Sequence, residues 1–266
     1  MSPPILILTG YGLNCEAESA HAWRLAGASP RLAHLNDVLA DPAPLREAAG
    51  LMFIGGFSFG DHLGSGRVFA NRLRTQLRDE LQAFLDRGRI VMGVCNGFQI
   101  LAKLGLLPGL DGDYFTPTVS LQQNTCGHFQ NFWVRLAFDP ASPCIFTRGL
   151  TQMDLPIRHG EGRIFPASRG VLNRIERKHL AACRYADPAT GKPTQTFPHN
   201  PNGSAKAIAG LCDPTGRVFG LMPHPEAYLF PENHPRWDFQ KIRGELPEHG
   251  AGLAFFSNAV EFLRGS

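Results

Sequence analysis

Short uninterrupted apolar runs alternate with amphipathic stretches along the first hundred residues. Residues 4–8 (PILIL), 51–54 (LMFI) and 89–94 (RIVMGV) are too short for helices and read as buried strands. Between and after them, 16–26 (EAESAHAWRLA), 67–87 and 96–107 (NGFQILAKLGLL) carry apolar residues at helical spacing. Such alternation predicts an α/β fold of three α/β/α layers around a mostly parallel central sheet. From about 118 to 158 the pattern changes. The segments VSLQQN, FQNFWVRLAF and DLPIRH read as strands with no helix between them, which predicts an antiparallel β extension. AKAIAGL at 205–211 and VFGLM at 218–222 add two strands, and 251–264 (AGLAFFSNAVEFLR) reads as an amphipathic helix closing the sheet. The Pro- and Asn-rich stretch 187–204 reads as an ordered surface loop. The expected organisation is one domain over 1–266, with an extended tail from about 231.

Composition narrows the class without deciding it. The chain has 266 residues, 43% of them hydrophobic and 18% charged, which is ordinary for a globular protein. Its 26 Lys and Arg against 23 Asp and Glu leave a net charge of only +3, and the basic residues are scattered, so neither nucleic acid nor a membrane surface is expected as a partner. No apolar run is long enough to span a bilayer, and the start MSPPILILTG lacks the basic region and cleavage site of a signal peptide. A cytoplasmic location is therefore expected. The six cysteines form no C-x-x-C pair and are read as thiols, not as disulfides or a zinc site.

The candidate chemistry begins at GVCNGFQ, residues 93–99. Cys95 lies where a buried strand gives way to a helix, flanked by Gly93 and Gly97, in the setting that the G-x-S-x-G nucleophile elbow requires. The glycines permit a sharp turn that exposes the side chain between them, and a thiol at a helix N-terminus is favoured as thiolate. A thiol nucleophile needs a base, and the base an orienting partner. MPHPE, residues 222–226, supplies both: the prolines hold His224 in extended geometry, so that His224 and Glu226, two residues apart, project the same way.

Two further motifs surround this pair. GGFSFGDHLGSG at 55–66 follows a strand but matches no phosphate-binding pattern; its alternative use is to aim backbone N–H groups at an oxyanion, with Gly56 and Asn96 as donors. PIRHGEGR at 156–163 holds His159 and Glu161, yet no third ligand lies at a recognisable spacing, so no metal site is expected.

Taken in order, GYGLNCE, GGFSFGD, GVCNGFQILAKLGLLPG, HGEGR, NPNGS, IAGL and LMPHPE resemble the PurQ-type class I glutamine amidotransferases, the glutaminase part of phosphoribosylformylglycinamidine synthase. The opening motif carries the family's Asn-Cys pair as Asn14 and Cys15, and the likeness runs from about residue 4 to 230. The resemblance implies a triad of Cys95, His224 and Glu226, oxyanion donors at Gly56 and Asn96, and glutamine contacts at Gln99 and Gly55. It also implies hydrolysis of glutamine through a cysteine thioester. The ammonia would pass to a synthetase subunit, possibly with a small accessory subunit, which makes formylglycinamidine ribonucleotide in purine biosynthesis. No cofactor is expected on this chain; ATP and magnesium belong to the synthetase. Departures from the family pattern are Ala227 where Arg usually follows P-H-P-E, Phe59 where Tyr is common, and the long tail, for which packing of Trp237 on the domain edge or on the synthetase is expected. Two alternatives stand beside this reading. Thiol hydrolases of the DJ-1 or protease-like kind commonly place a His directly after the elbow cysteine, where this chain has Asn96. A non-catalytic assembly subunit has no need of an intact Cys, His and Glu set.

Overall fold

The computed structural model describes residues 2–265. The first half of the chain runs β1 (Pro4–Thr9), α1 (Glu16–Leu25), β2 (Ser29–His34), α2 (Leu35–Ala40), α3 (Ala43–Glu47), β3 (Gly50–Phe53), α4 (Arg67–Gln76), α5 (Arg78–Asp86), β4 (Ile90–Val94) and α6 (Asn96–Leu104). The second half continues with β5 (Val119–Gln123), β6 (Gln130–Phe138), β7 (Gln152–His159), β8 (Glu161–Pro166), α7 (Arg169–Arg177), β9 (Cys183–Ala186), β10 (Ile208–Cys212), β11 (Val218–Leu221), α8 (Trp237–Ile242) and α9 (Leu253–Gly265).

Among the described residues nine strands form one sheet in the order β2-β1-β3-β4-β11-β10-β9-β6-β7. From β2 to β11 every pairing is parallel, and from β11 to β7 every pairing is antiparallel. The expected antiparallel extension therefore continues the central sheet. The segment VSLQQN departs from it: β5 pairs with β8 in a separate two-stranded sheet. β3, β4 and β11 are buried along their whole length, as helix-covered parallel strands must be.

The long helix expected over 67–87 is two helices broken at Leu77, whose φ of −128° is not helical. The buried residues Phe69, Leu73, Leu77, Leu81 and Phe84 keep helical phase across the break, so hydrophobic period could not reveal it. The strand expected at 205–211 begins at Ile208, after a single 3₁₀ turn over Ala205–Ala207. Strand β2 was missed because it is an edge strand with only one parallel neighbour and carries no buried residue.

The tail from Pro231 holds a 3₁₀ turn and α8, a helix with no buried residue. It is anchored by His234, whose ring lies 5.0 Å from that of Trp133 and 5.5 Å from that of Tyr228. Trp237, the expected anchor, is half-buried and covered by the Lys241 ammonium 5.7 Å from its ring.

Candidate functional site

The sheet register assembles the site. Phe53 pairs with Gly93, and Leu221 pairs with Val94, so the loops that follow β3, β4 and β11 leave the same edge of the sheet side by side. Gly55, Gly56, Cys95 and His224 lie within three residues of those strand ends. The loop after β1 joins them, because Asn14 N–H donates to Gly55 O at 3.3 Å and Phe57 N–H to Gly12 O at 2.8 Å. Loops beyond the carboxyl ends of parallel strands are where open α/β sheets place their ligands.

Cys95 has φ +52° and ψ −108°, a conformation costly for a residue with a side chain and one that clusters at functional sites. It is held there by its own N–H, which donates to Leu221 O at 2.8 Å, and by being the residue before α6. The flanking glycines are required by space: a β-carbon on Gly97 would lie 2.0 Å from Phe53 O, and one on Gly93 would lie 2.8 Å from the Gly97 carbonyl. The Cys95 Sγ lies 3.6 Å from Arg158 O, so the end of β7 abuts the thiol.

Asn96 opens α6, where a backbone N–H has no helical acceptor. Its side chain stitches the glycine-rich loop to the elbow: Oδ1 accepts from Ser58 N at 3.4 Å, and Nδ2 donates to Asp61 Oδ1 at 3.1 Å and to Gln99 Oε1 at 2.9 Å. Gly56, at φ +134°, is pinned against Leu13, with which it forms a β-bridge. Gln99 lines the cavity beside Cys95; Oε1 accepts from Asn96 Nδ2 and Nε2 donates to Glu161 O at 2.5 Å, which leaves the amide a second N–H and a second lone pair. Gly55 packs behind the site: a β-carbon there would meet His224 Cε1 at 2.9 Å and Cys15 Sγ at 3.0 Å. Its place is against the histidine and Cys15.

His224 and Glu226 meet, although not as two side chains of one extended strand. His224 is extended, but Pro225–Ala227 forms a 3₁₀ turn that swings Glu226 back beneath the ring, with Nδ1 to Oε1 at 2.6 Å. Both side chains are buried, and His224 N–H is tied to Pro156 O of β7 at 2.9 Å. Burial alone would lower the His224 pKa; the Glu226 carboxylate, followed by the Cys95 and Cys15 sulfurs, outweighs it and holds the imidazole well above its ordinary value. His224 Nε2 is buried with no well-formed hydrogen bond among the described residues, leaving it free to exchange a proton with a thiol.

Cys15 was not anticipated at this site. It lies just after the loop that follows β1, and its Sγ, a His224 ring nitrogen and a Glu226 oxygen lie within 4.8 Å of one another. Burial, against hydrogen bonding to His224, pushes its pKa up, which keeps it a thiol. The signal available in sequence was the Asn14–Cys15 pair of the GYGLNCE motif. These three groups are the only His, Cys and carboxylate set among the described residues close enough to share an ion, and His224 Nδ1 is already bonded to Glu226.

His159 and Glu161 do not converge. His159 is 2% exposed, with Nδ1 3.2 Å from Asn124 Oδ1, while Glu161 turns to the Ser65 N–H at 3.4 Å. Burial first, and the charge of His224 second, lower the His159 pKa to about 3, so it is neutral. Two small cavities meet at Cys95, of about 200 and 140 Å³. The first is lined by Asp61, Gln99, His159 and Glu161, the second by Asn14, Cys15 and His224, and both by Gly56, Phe57, Phe129 and Arg158. A larger cavity of about 580 Å³ lies between β7 and the tail and contains none of these groups.

A strained thiol on a strand-to-helix elbow, with a buried His–Glu pair in the loop that follows the adjacent strand, is the arrangement of a thiol-dependent acyl-transfer enzyme. The family of CobB/CobQ-like glutamine amidotransferase domains matches residues 2–263, and the chain belongs to it. It is 39% identical over 269 residues to the phosphoribosylformylglycinamidine synthase subunit PurQ of Methanococcus maripaludis, covering 99% of each chain. It is 41% identical over 261 residues to the PurQ subunit of Dehalococcoides mccartyi, covering 97% of each. The solved structure of PurLQS from Thermotoga maritima contains a chain that superposes with a TM-score of 0.70 at 28% identity, covering 99% of this chain and 100% of that one. Within the family, the chain thus falls among the PurQ subunits.

Proposed function

We infer that the protein is the glutaminase subunit of phosphoribosylformylglycinamidine synthase, with Cys95, His224 and Glu226 as its catalytic triad. The observation that carries this reading is the juxtaposition of Cys95, strained at φ +52°, with the buried His224–Glu226 pair. Cys95 gives its proton to His224 Nε2 and attacks the side-chain amide carbon of glutamine. The tetrahedral oxyanion is held by the N–H groups of Gly56 and Asn96, each donor worth about 3 kcal/mol of barrier. His224 then protonates the departing ammonia and activates the water that cleaves the γ-glutamyl thioester to glutamate and the free thiol. Glu226, hydrogen-bonded to Nδ1, fixes the ring and stabilises the imidazolium that forms when Cys95 gives up its proton. Gln99 braces the elbow against the Glu161 backbone, and Gly55 makes room for His224.

The ammonia serves a synthetase subunit that converts formylglycinamide ribonucleotide to the amidine with ATP and magnesium, both bound on the synthetase. The Thermotoga maritima likeness is to a chain of PurLQS, which supports a partner made of a synthetase and a small third subunit. Phe57 and Phe129, their rings 6.3 Å apart and each about half exposed, flank the Cys95 cavities and give this partner an apolar face. No helix among the described residues is long and apolar enough to cross a membrane, and all six cysteines are free thiols, which suits the cytoplasm. The test is Cys95→Ala in the assembled complex. Glutamine-dependent synthesis should vanish while ammonia-dependent synthesis continues; glutamine turnover by the variant would overturn the assignment.

A further inference from the structure

We propose that the cavity of about 580 Å³ between β7 and the tail is a nucleoside phosphate site, in which Arg236 and Arg243 take the phosphate, Phe239 the base and Glu245 the ribose hydroxyls. Its lining shares no residue with the two cavities at Cys95, so the site goes beyond the glutaminase reading and stands or falls separately. The volume is that of a pocket able to enclose a small ligand. Arg236 and His234 also line an adjoining cavity of about 220 Å³ beside Trp133, which lengthens the space open to a ligand.

One wall of the cavity is matched within the protein. Asp154 accepts from both arms of the Arg135 fork, Nη2 to Oδ2 at 2.9 Å, and its Oδ2 faces His234 Nε2 at 3.5 Å. His234 is fixed in turn, because its Nδ1 accepts the Arg236 N–H at 3.1 Å. The opposite wall is unmatched. Arg236, Phe239, Gln240 and Arg243, spaced i, i+3, i+4 and i+7 along α8 and its two flanking residues, line the cavity from one helical face. Neither guanidinium has an ion pair among the described residues, and Phe239, 63% exposed between them, has no ring partner there. Glu245, the remaining charged residue of the lining, is likewise unpaired, so two guanidiniums are left against one carboxylate and the excess is positive. Apolar packing does not account for this placement, since no residue of α8 is buried and Ile242, outside the lining, is 84% exposed. A helix held by packing would turn its apolar side inward. Guanidinium forks fit phosphate oxygens, an open aromatic ring stacks on a base, and a carboxylate accepts from ribose hydroxyls.

The experiment is calorimetric titration of the full chain with adenosine 5′-monophosphate, set beside adenosine, ribose 5-phosphate and inorganic phosphate as partial ligands. The monophosphate should bind saturably and at least about tenfold more tightly than any of the three. Arg236→Gln and Arg243→Gln should each weaken it about tenfold, as loss of a charged hydrogen bond does, and leave adenosine within twofold. Phe239→Ala should weaken it about tenfold and leave ribose 5-phosphate within twofold. Glu245→Gln should erase most of the difference between the monophosphate and its 2′,3′-dideoxy analogue. All four side chains are exposed, and an unchanged urea midpoint in each variant separates loss of the site from loss of the fold. Inorganic phosphate bound as tightly as the monophosphate would reduce the site to a patch for any anion and overturn the proposal. So would absence of saturable binding to the wild-type chain, or variants that bind as the wild type does. Arg243→Glu that blocks assembly with the synthetase, in a chain that takes up no nucleotide, would make the cavity a subunit interface instead.

Discussion

The chain contains two His-x-Glu pairs, His224-Pro225-Glu226 and His159-Gly160-Glu161, and folding gives them opposite chemistry. Both histidines are almost completely buried, so desolvation pushes both toward neutrality. At His224 the following 3₁₀ turn returns Glu226 to within 2.6 Å of the ring, and the carboxylate reverses the effect of burial. At His159 the chain turns from β7 into β8, Glu161 leaves toward the cavity, and the ring finds the uncharged Asn124 instead. One pair becomes a charged acid–base couple. The other becomes a neutral histidine and a separate carboxylate. What distinguishes them is the backbone after the histidine, which decides whether the carboxylate comes back.

The severest way to break this contrast is Glu226→Gln. Without the carboxylate, burial should bring the His224 pKa down, and glutamine hydrolysis in the assembled complex should fall by roughly 10²–10⁴. The pH–rate profile should lose the limb assigned to His224; an unchanged profile would show that Glu226 does not set its charge. On the other side, Asn124→Ala removes the acceptor for His159 Nδ1 and the Gly162 N–H and the donor to two carbonyls. This should cost about 3 kcal/mol of stability by urea denaturation, with the midpoint lowered and the slope unchanged.

The two histidines should also leave opposite marks on stability against pH. His159, at about 3 when folded and near 6.5 when unfolded, binds fewer protons in the folded protein. Its contribution is present above about pH 6.5 and is lost as pH falls toward 3, by about 1.4 kcal/mol per pH unit. His224, raised in the folded state, stabilises fully below its unfolded value and loses that contribution as pH rises through its folded one. His159→Asn should therefore flatten the acid limb by one proton and leave the alkaline limb as it was. An acid limb of the same slope in the variant would assign it to carboxylates. The smallest effect is expected of Cys15→Ser, which keeps a hydroxyl donor beside His224 and should change glutamine turnover by less than about threefold. A loss comparable to that of Cys95→Ala would mean that His224 serves the other thiol.

Much of the site was legible because local rules determine it. Apolar runs bounded by glycine mark β3 and β4 and hence the glycine-rich loop and the elbow after them, and the prolines around His224 mark a constrained segment. What escaped were contacts that the motifs' residues make only once the fold brings distant segments together. Cys15 is one of six cysteines, and only the hydrogen bonds between the loops after β1 and β3 bring it to His224. Gln99 is marked by its place after the elbow, but the bonds that hold its amide between Asn96 and the Glu161 backbone join segments about sixty residues apart. Gly55 could be assigned to the loop but not to a side of it. The break at Leu77 and the separate β5–β8 sheet leave the hydrophobic period untouched, so they too were hidden.

GVCNGFQ by itself determined that a thiol would stand at a sharp strand-to-helix turn, because glycine spacing and hydrophobic run length act over a few residues. Whether that thiol would meet a base was decided by the pairing of β4 with β11, which joins segments more than a hundred residues apart in one register. The charge of each histidine was decided later still, by how the chain turns after it. Coulomb interactions in a buried site depend on separations of a few ångströms, and only the packed tertiary structure sets distances that finely.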